Sequence, residues 1–94
     1  MIDLFTPGPT VALSTGPAST RVALGAAGGT VRVLNPNAAL VFVRFGDETV
    51  AASVADMPVA QGAVEVFDPG PATHAAAVTA SGDARLYLTS GRGA

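Results

Sequence analysis

No apolar string between residues 10 and 89 exceeds six residues, and most alternate with polar positions until a Pro, Gly, Asn or Asp cluster stops them. A period of two sends successive side chains to opposite faces of an extended chain, so this pattern encodes short strands and excludes an amphipathic helix. Residues 10–13 place Val11 and Leu13 on one face. Residues 19–24 set Thr20, Val22 and Leu24 against Arg21 and Ala23, and residues 30–34 turn Val31 and Val33 inward with Arg32 outward. Residues 40–45, Leu40-Val41-Phe42-Val43-Arg44-Phe45, are apolar on both faces, as in a central strand or one with a subunit packed on its outer side. Further strands are expected at residues 49–55, with Val50 and Val54, and at 63–67, where Val64 and Val66 alternate with Glu65 and Phe67. Residues 73–80 and 84–89 read as a hairpin around Ser81-Gly82-Asp83, with Leu86 and Leu88 facing in. His74-Ala75-Ala76-Ala77-Val78 has helical propensity, but Thr73, Thr79 and the following turn favour a strand.

Turn chemistry separates these pieces at Ser14-Thr15-Gly16-Pro17, residues 25–29, Asn35-Pro36-Asn37, Gly46-Asp47-Glu48 and Asp68-Pro69-Gly70-Pro71. Residues 56–62 read as the longest irregular loop and residues 90–94 as a loose tail. The result is about eight short strands at 8–12-residue spacing. The expected fold is all-β: a small antiparallel β-sandwich or jelly-roll-like barrel, and 94 residues hold one such domain. That domain is expected over residues 10–94. Residues 1–9 read as an extended N-terminal arm, because Thr6-Pro7-Gly8-Pro9 can continue neither a helix nor a central strand. Ile2, Leu4 and Phe5 lie ahead of that break. They are candidates for docking on a neighbour or for folding back over the chain's own core.

Charge narrows the function. Charged residues make up 13% of the chain, against about 25% in an average soluble protein. All five basic residues are Arg, and Lys is absent. Two readings are compatible with this: a GC-rich genome that favours Ala, Gly, Val and Arg, and a surface covered largely by partner subunits. Strand edges in soluble monomers are usually blunted by Lys, Pro or inward charges, whereas here Asp47, Glu48, Asp56, Asp68 and Asp83 fall in turns. Edges left bare are safer beneath another chain, which points to a homo-oligomer or a docked protein. The net charge of −2, with no basic cluster, argues against nucleic acid as a partner. Met1-Ile2-Asp3-Leu4-Phe5-Thr6-Pro7 lacks the basic start and apolar stretch of a signal peptide, and no apolar run is long enough for a helix to span a bilayer. Neither secretion through a signal peptide nor a membrane partner is expected.

The residues that carry chemistry are sparse. There is no cysteine for a disulfide, a thiolate metal site or a nucleophile. His74 is the single histidine, and no serine stands in a nucleophile-like context, so no enzyme is expected. A phosphate loop at residues 25–29 would need a lysine. Asp68 and Asp83 could meet a calcium ion, but nothing in the sequence resembles the dense acidic loop such sites use. No cofactor or metal is implied. Phe5, Phe42, Phe45, Phe67 and Tyr87 suffice for one core but not for a platform that stacks bases or sugars. Arg44, interrupting the most apolar strand, reads either as half of an ion pair within the fold, with Asp47, Glu48 or Glu65, or as a cross-subunit contact. Arg32, on an outward face, carries the same two readings.

The run Val31-Arg32-Val33-Leu34-Asn35-Pro36, followed by Ala39-Leu40-Val41-Phe42-Val43-Arg44-Phe45-Gly46, resembles short proteins encoded in tailed phages and prophages. Met57-Pro58-Val59, Val64-Glu65-Val66-Phe67 and the close from Ser81-Gly82-Asp83 to Ser90-Gly91 extend the resemblance over residues 30–93. Such proteins are virion structural components, and the small β-sandwich capsid decoration (cement) proteins among them fit best. The resemblance implies an oligomer, often a trimer, seated on the lattice of the major capsid protein and bracing the head against packaged DNA. It marks no contact residues. Two other functions remain open: a head–tail connector or head or tail fibre base, and a ligand- or carbohydrate-binding β-sandwich module. Loops of mostly Gly, Pro and Asp count against the latter.

Overall fold

A strand that alternates apolar and polar side chains buries one face only if a second layer covers it, and this chain builds that layer from its own strands. The computed structural model describes residues 4–26 and 29–93. Its strands are β1 (Thr6–Thr15), β2 (Thr20–Ala23), β3 (Thr30–Leu34), β4 (Val41–Gly46), β5 (Met57–Val59), β6 (Val64–Phe67), β7 (His74–Val78) and β8 (Ala84–Arg92). They form two four-stranded antiparallel sheets, ordered β1-β8-β3-β6 and β2-β7-β4-β5. The molecule is the expected all-β sandwich, and the sheets do not close into a barrel. The pairs β1·β8, β2·β7, β3·β6 and β4·β5 nest like the rungs of one long hairpin folded over on itself, which is the strand order of a jelly roll.

Leu13, Leu86 and Leu88 of the first sheet pack against Val41, Val43, Val59, Ala75 and Ala77 of the second, with Val31 and Val33 beside them. Large side chains meeting small ones keep two short sheets in close contact. Asn35, fully buried, ties the two together at one end. Its backbone N–H donates to the Ala63 carbonyl, and its own carbonyl accepts from Gly62 N–H. The side-chain amide donates to the carbonyls of Ala39 (2.8 Å) and Val59 (2.9 Å), and Oδ1 accepts from the Asn37 N–H and amide. Every polar group of this buried side chain is thereby satisfied.

Four expectations are corrected. Residues 73–80 and 84–89 are not a hairpin: β7 and β8 lie in different sheets, because residues 79–83 carry the chain across the sandwich. The segment expected as strand at 49–55 is a connection, and the strand β5 sits instead within the expected loop, at Met57-Pro58-Val59. Pro58 is tolerated there because β5 is an edge strand. Residues 6–9, expected in the arm, belong to a strand. Strand β1 begins at Thr6, also as an edge, and a bulge between Pro7 and Thr10 absorbs the prolines. Nor are residues 90–92 part of a loose tail, since β8 runs to Arg92 opposite Thr6.

Candidate functional site

Each sheet has an outer face, and the two are finished differently. On the second sheet, Phe42, Ala76 and Val78 point outward, and the connection between β4 and β5 folds over them, setting Val50 and Ala52 on top as a second small core. Local bonds shape that cover. Thr49 donates its N–H and hydroxyl to Asp47 Oδ1, the Val50 N–H donates to the Asp47 carbonyl, and the Ala52 N–H donates to Ser19 Oγ. The two bonds from Thr49, hydroxyl first, hold the Asp47 carboxyl below its ordinary range. Gly46 makes the closure possible: a Cβ there would stand 2.8 Å from Val50 Cγ2. Phe42, on the outer side of residues 40–45, is thus partly covered by the chain itself, while Leu40 beside it stays 49% exposed.

Among the described residues the first sheet has no such cover. Its outward positions are Thr10, Ala12 and Ser14 on β1, Arg85, Tyr87 and Thr89 on β8, Arg32 and Leu34 on β3, and Val64 and Val66 on β6. Val64 is 52% exposed and Val66 47%, and Leu34 and Tyr87 are also exposed. On β6 the alternation therefore runs with valines outward and Glu65 and Phe67 half-buried, the Phe67 ring 5.3 Å from that of Phe45. A shallow groove of about 430 Å³ runs between Phe5, Pro7, Arg32, Leu34, Val64 and Tyr87.

At one end of this face lies Phe5. The Arg32 guanidinium carbon is 4.3 Å from the centre of its ring, a cation–π distance. The ring rests on Gly91, where a Cβ would meet it at 2.6 Å. Of the two readings of the N-terminal residues, the described structure has Phe5 folded back on its own sheet, while Leu4 is 80% exposed. Ile2 falls outside the described residues. The structure thus brings Phe5 and Arg32 together and leaves Arg44 on the opposite face. There Arg44 Nη1 lies 3.9 Å from Asp56 Oδ1, so its partner is none of Asp47, Glu48 or Glu65. Arg44 is largely exposed, and a pair of this kind contributes under about 1 kcal/mol.

The exposed quartet Leu34, Val64, Val66 and Tyr87 was not among the candidates. Alternation at residues 63–67 separates the side chains into two sets, but it does not say which set is inside. His74 Nδ1 lies 2.8 Å from Thr73 Oγ1. Among the described residues no three His, Asp or Glu side chains gather as metal ligands, and no helix is long and apolar enough to cross a membrane.

No family model and no curated protein matches the chain. Among solved structures, a crystal structure of the Drosophila NLP-core, described as giving insight into pentamer formation and histone binding, matches at 12% identity. The match covers 87% of this chain and 95% of that one, with a TM-score of 0.39. A likeness at that level carries no argument about function.

Proposed function

We propose that the chain is a non-enzymatic virion structural protein: a capsid decoration protein that stabilises a phage head by seating on the capsid lattice, with several copies acting together. The observation that carries this reading is the open outer face of the first sheet. A chain that covers one apolar sheet face with its own loop leaves Leu34, Val64, Val66 and Tyr87 bare on the other, and patches of that kind mark protein–protein contact. The phage setting comes from the resemblance over residues 30–93. Burial of this face against capsid protein would supply apolar contact over a surface with few charges to desolvate. The groove alone gives less support to a ligand-binding module, since few polar groups converge on it and binding pockets need several to orient a ligand.

Particles purified from the source cells test the proposal. The chain is expected in the head fraction by mass spectrometry, with ordered density on the capsid surface at a fixed copy number. A chain found only in the particle-free fraction, or only in tails, overturns it. Val64→Asp with Tyr87→Ser is expected to abolish particle binding while leaving the circular dichroism spectrum unchanged.

A further inference from the structure

Four strands end the two sheets, and three of their edges are blocked. Strand β1 carries Pro7, Pro9 and a bulge. Strand β2 is stapled to β1 by Thr20 Oγ1 donating to the Ser14 carbonyl (2.8 Å), and the three residues of β5 include Pro58. Strand β6, Val64-Glu65-Val66-Phe67, has no proline and no bulge, and no described strand pairs its outer side. Asn35 N–H donates to the Ala63 carbonyl, so by the alternation of an antiparallel ladder the backbone groups of Glu65 and Phe67 face β3. Those of Val64 and Val66 face outward along the open edge.

We propose that two copies of this chain join edge to edge through β6, antiparallel, about a two-fold axis at Val66. Within a second copy the edge that meets β6 is β6 itself, because the other edges of the sandwich carry a proline or are stapled. Register follows from charge and facing. Residues opposite one another in a ladder must point to the same face, which leaves two symmetric registers within β6. One sets Glu65 opposite the partner's Glu65, two carboxylates side by side, which is unfavourable. The other sets Val66 opposite itself and Glu65 opposite the partner's Phe67, with no like charges facing. In that register the N–H and C=O of each Val66 bond their counterparts. The two first sheets become one eight-stranded sheet, with the exposed valines and Leu34 of both copies on a single outer face. The inference deepens the docking reading by doubling the apolar face offered to the capsid, but it stands on the edge alone.

The strand overlap is short, and its buried area falls below the roughly 800 Å² per partner of a standard interface. Covalent trapping is therefore the decisive test. The chain contains no cysteine, so single substitutions report cleanly. Opposed Cα atoms of a hydrogen-bonded pair lie about 5.5 Å apart, within disulfide range. Val66→Cys is expected to form a disulfide dimer in a glutathione buffer at least about tenfold faster than Val64→Cys, because pairing raises the effective thiol concentration toward millimolar. Val64 is equally exposed but would sit about 14 Å from its counterpart. Glu65→Cys is expected to be as slow as Val64→Cys. Val66→Lys should keep the circular dichroism spectrum and lose the concentration-dependent mass of the native chain in sedimentation. Equal rates for Val66→Cys and Val64→Cys, or a faster Glu65→Cys, overturn the proposal. Either failure leaves particle binding untouched, and a chain that dimerises this way but misses the head fraction sinks the function alone.

Discussion

The two outer faces of the sandwich start from the same problem and solve it in opposite ways. Each exposes apolar side chains beyond what its strands can bury against the other sheet. On one face Gly46 lets Val50 settle over Phe42, Ala76 and Val78, and the connection that carries Val50 closes a second core. On the other, Gly91 admits a single ring, Phe5, at one end, and Leu34, Val64, Val66 and Tyr87 stay open. A connection of ten residues, long enough to cover a face, follows β4, whereas the connections bordering β3, β6 and β8 have four to six. Which face is sealed is therefore decided by where the chain has length to spare.

The largest expected effect spares neither face and so sets the scale. Asn35→Ala removes the amide that bonds Ala39 and Val59 and strands their buried carbonyls, along with the Asn37 donors. Losing buried hydrogen bonds of this kind destabilises by about 3 kcal/mol in total. Urea unfolding with an unchanged m-value should record it. A loss under about 1 kcal/mol would mean that the sheets do not depend on this tie.

Next comes the direct contrast. Phe42→Ala, beneath the cover, is expected to lower stability by about 2–3 kcal/mol, whereas Val64→Ala on the open face should cost under about 0.5 kcal/mol in dilute solution. Equal losses would mean that the open face is already covered. Gly46→Ala sharpens the same contrast from the backbone side. Its new methyl collides with Val50, at a cost of about 1–2 kcal/mol from overpacking, and should raise amide exchange at Val50 and Ala52 without affecting β6.

Much of this was legible in the sequence, for a physical reason. Alternation at Val31-Arg32-Val33 and Leu86-Tyr87-Leu88 specifies both a strand and its inward face, because only the period-two set can be buried. Residues 40–45 were legible as a strand apolar on both sides, but the agent covering Phe42 was not, since pattern gives faces and never neighbours. The misreadings cluster at the cover. Val50 and Val54 repeat as strand residues would, yet Val50 is buried by a loop and Val54 is exposed. Pro58 hid β5, because a proline rules out a central strand but not an edge. At β6 the half-burial of Glu65 and the exposure of Val64 and Val66 invert the usual preference, and such an inversion is read only once the partner strands are known. The open face, the feature on which the proposed function rests, therefore had no signature beyond the scarcity of charge. Among its residues only Arg32 and Phe5 stood out beforehand.

The smallest expected effect concerns the hinge at which the cover begins. Asp47 accepts from the Thr49 hydroxyl and N–H, and these bonds favour the charged carboxylate, so its folded pKa lies below the ordinary 3.8. A group depressed in the folded state adds stability above its unfolded pKa and loses it as pH falls through the folded one. The contribution is thus complete at neutral pH and disappears only below about pH 3.8. Titration of the Asp47 carboxyl carbon by NMR should give a midpoint under 3.8. Thr49→Val removes the larger of the two bonds, and the midpoint should climb toward the ordinary value while Thr10, Thr89 and the rest of the open face keep their chemical shifts. A midpoint that ignores Thr49→Val would remove the hydroxyl as the cause, and with it the view that the covered face is set by local bonds at the start of its loop.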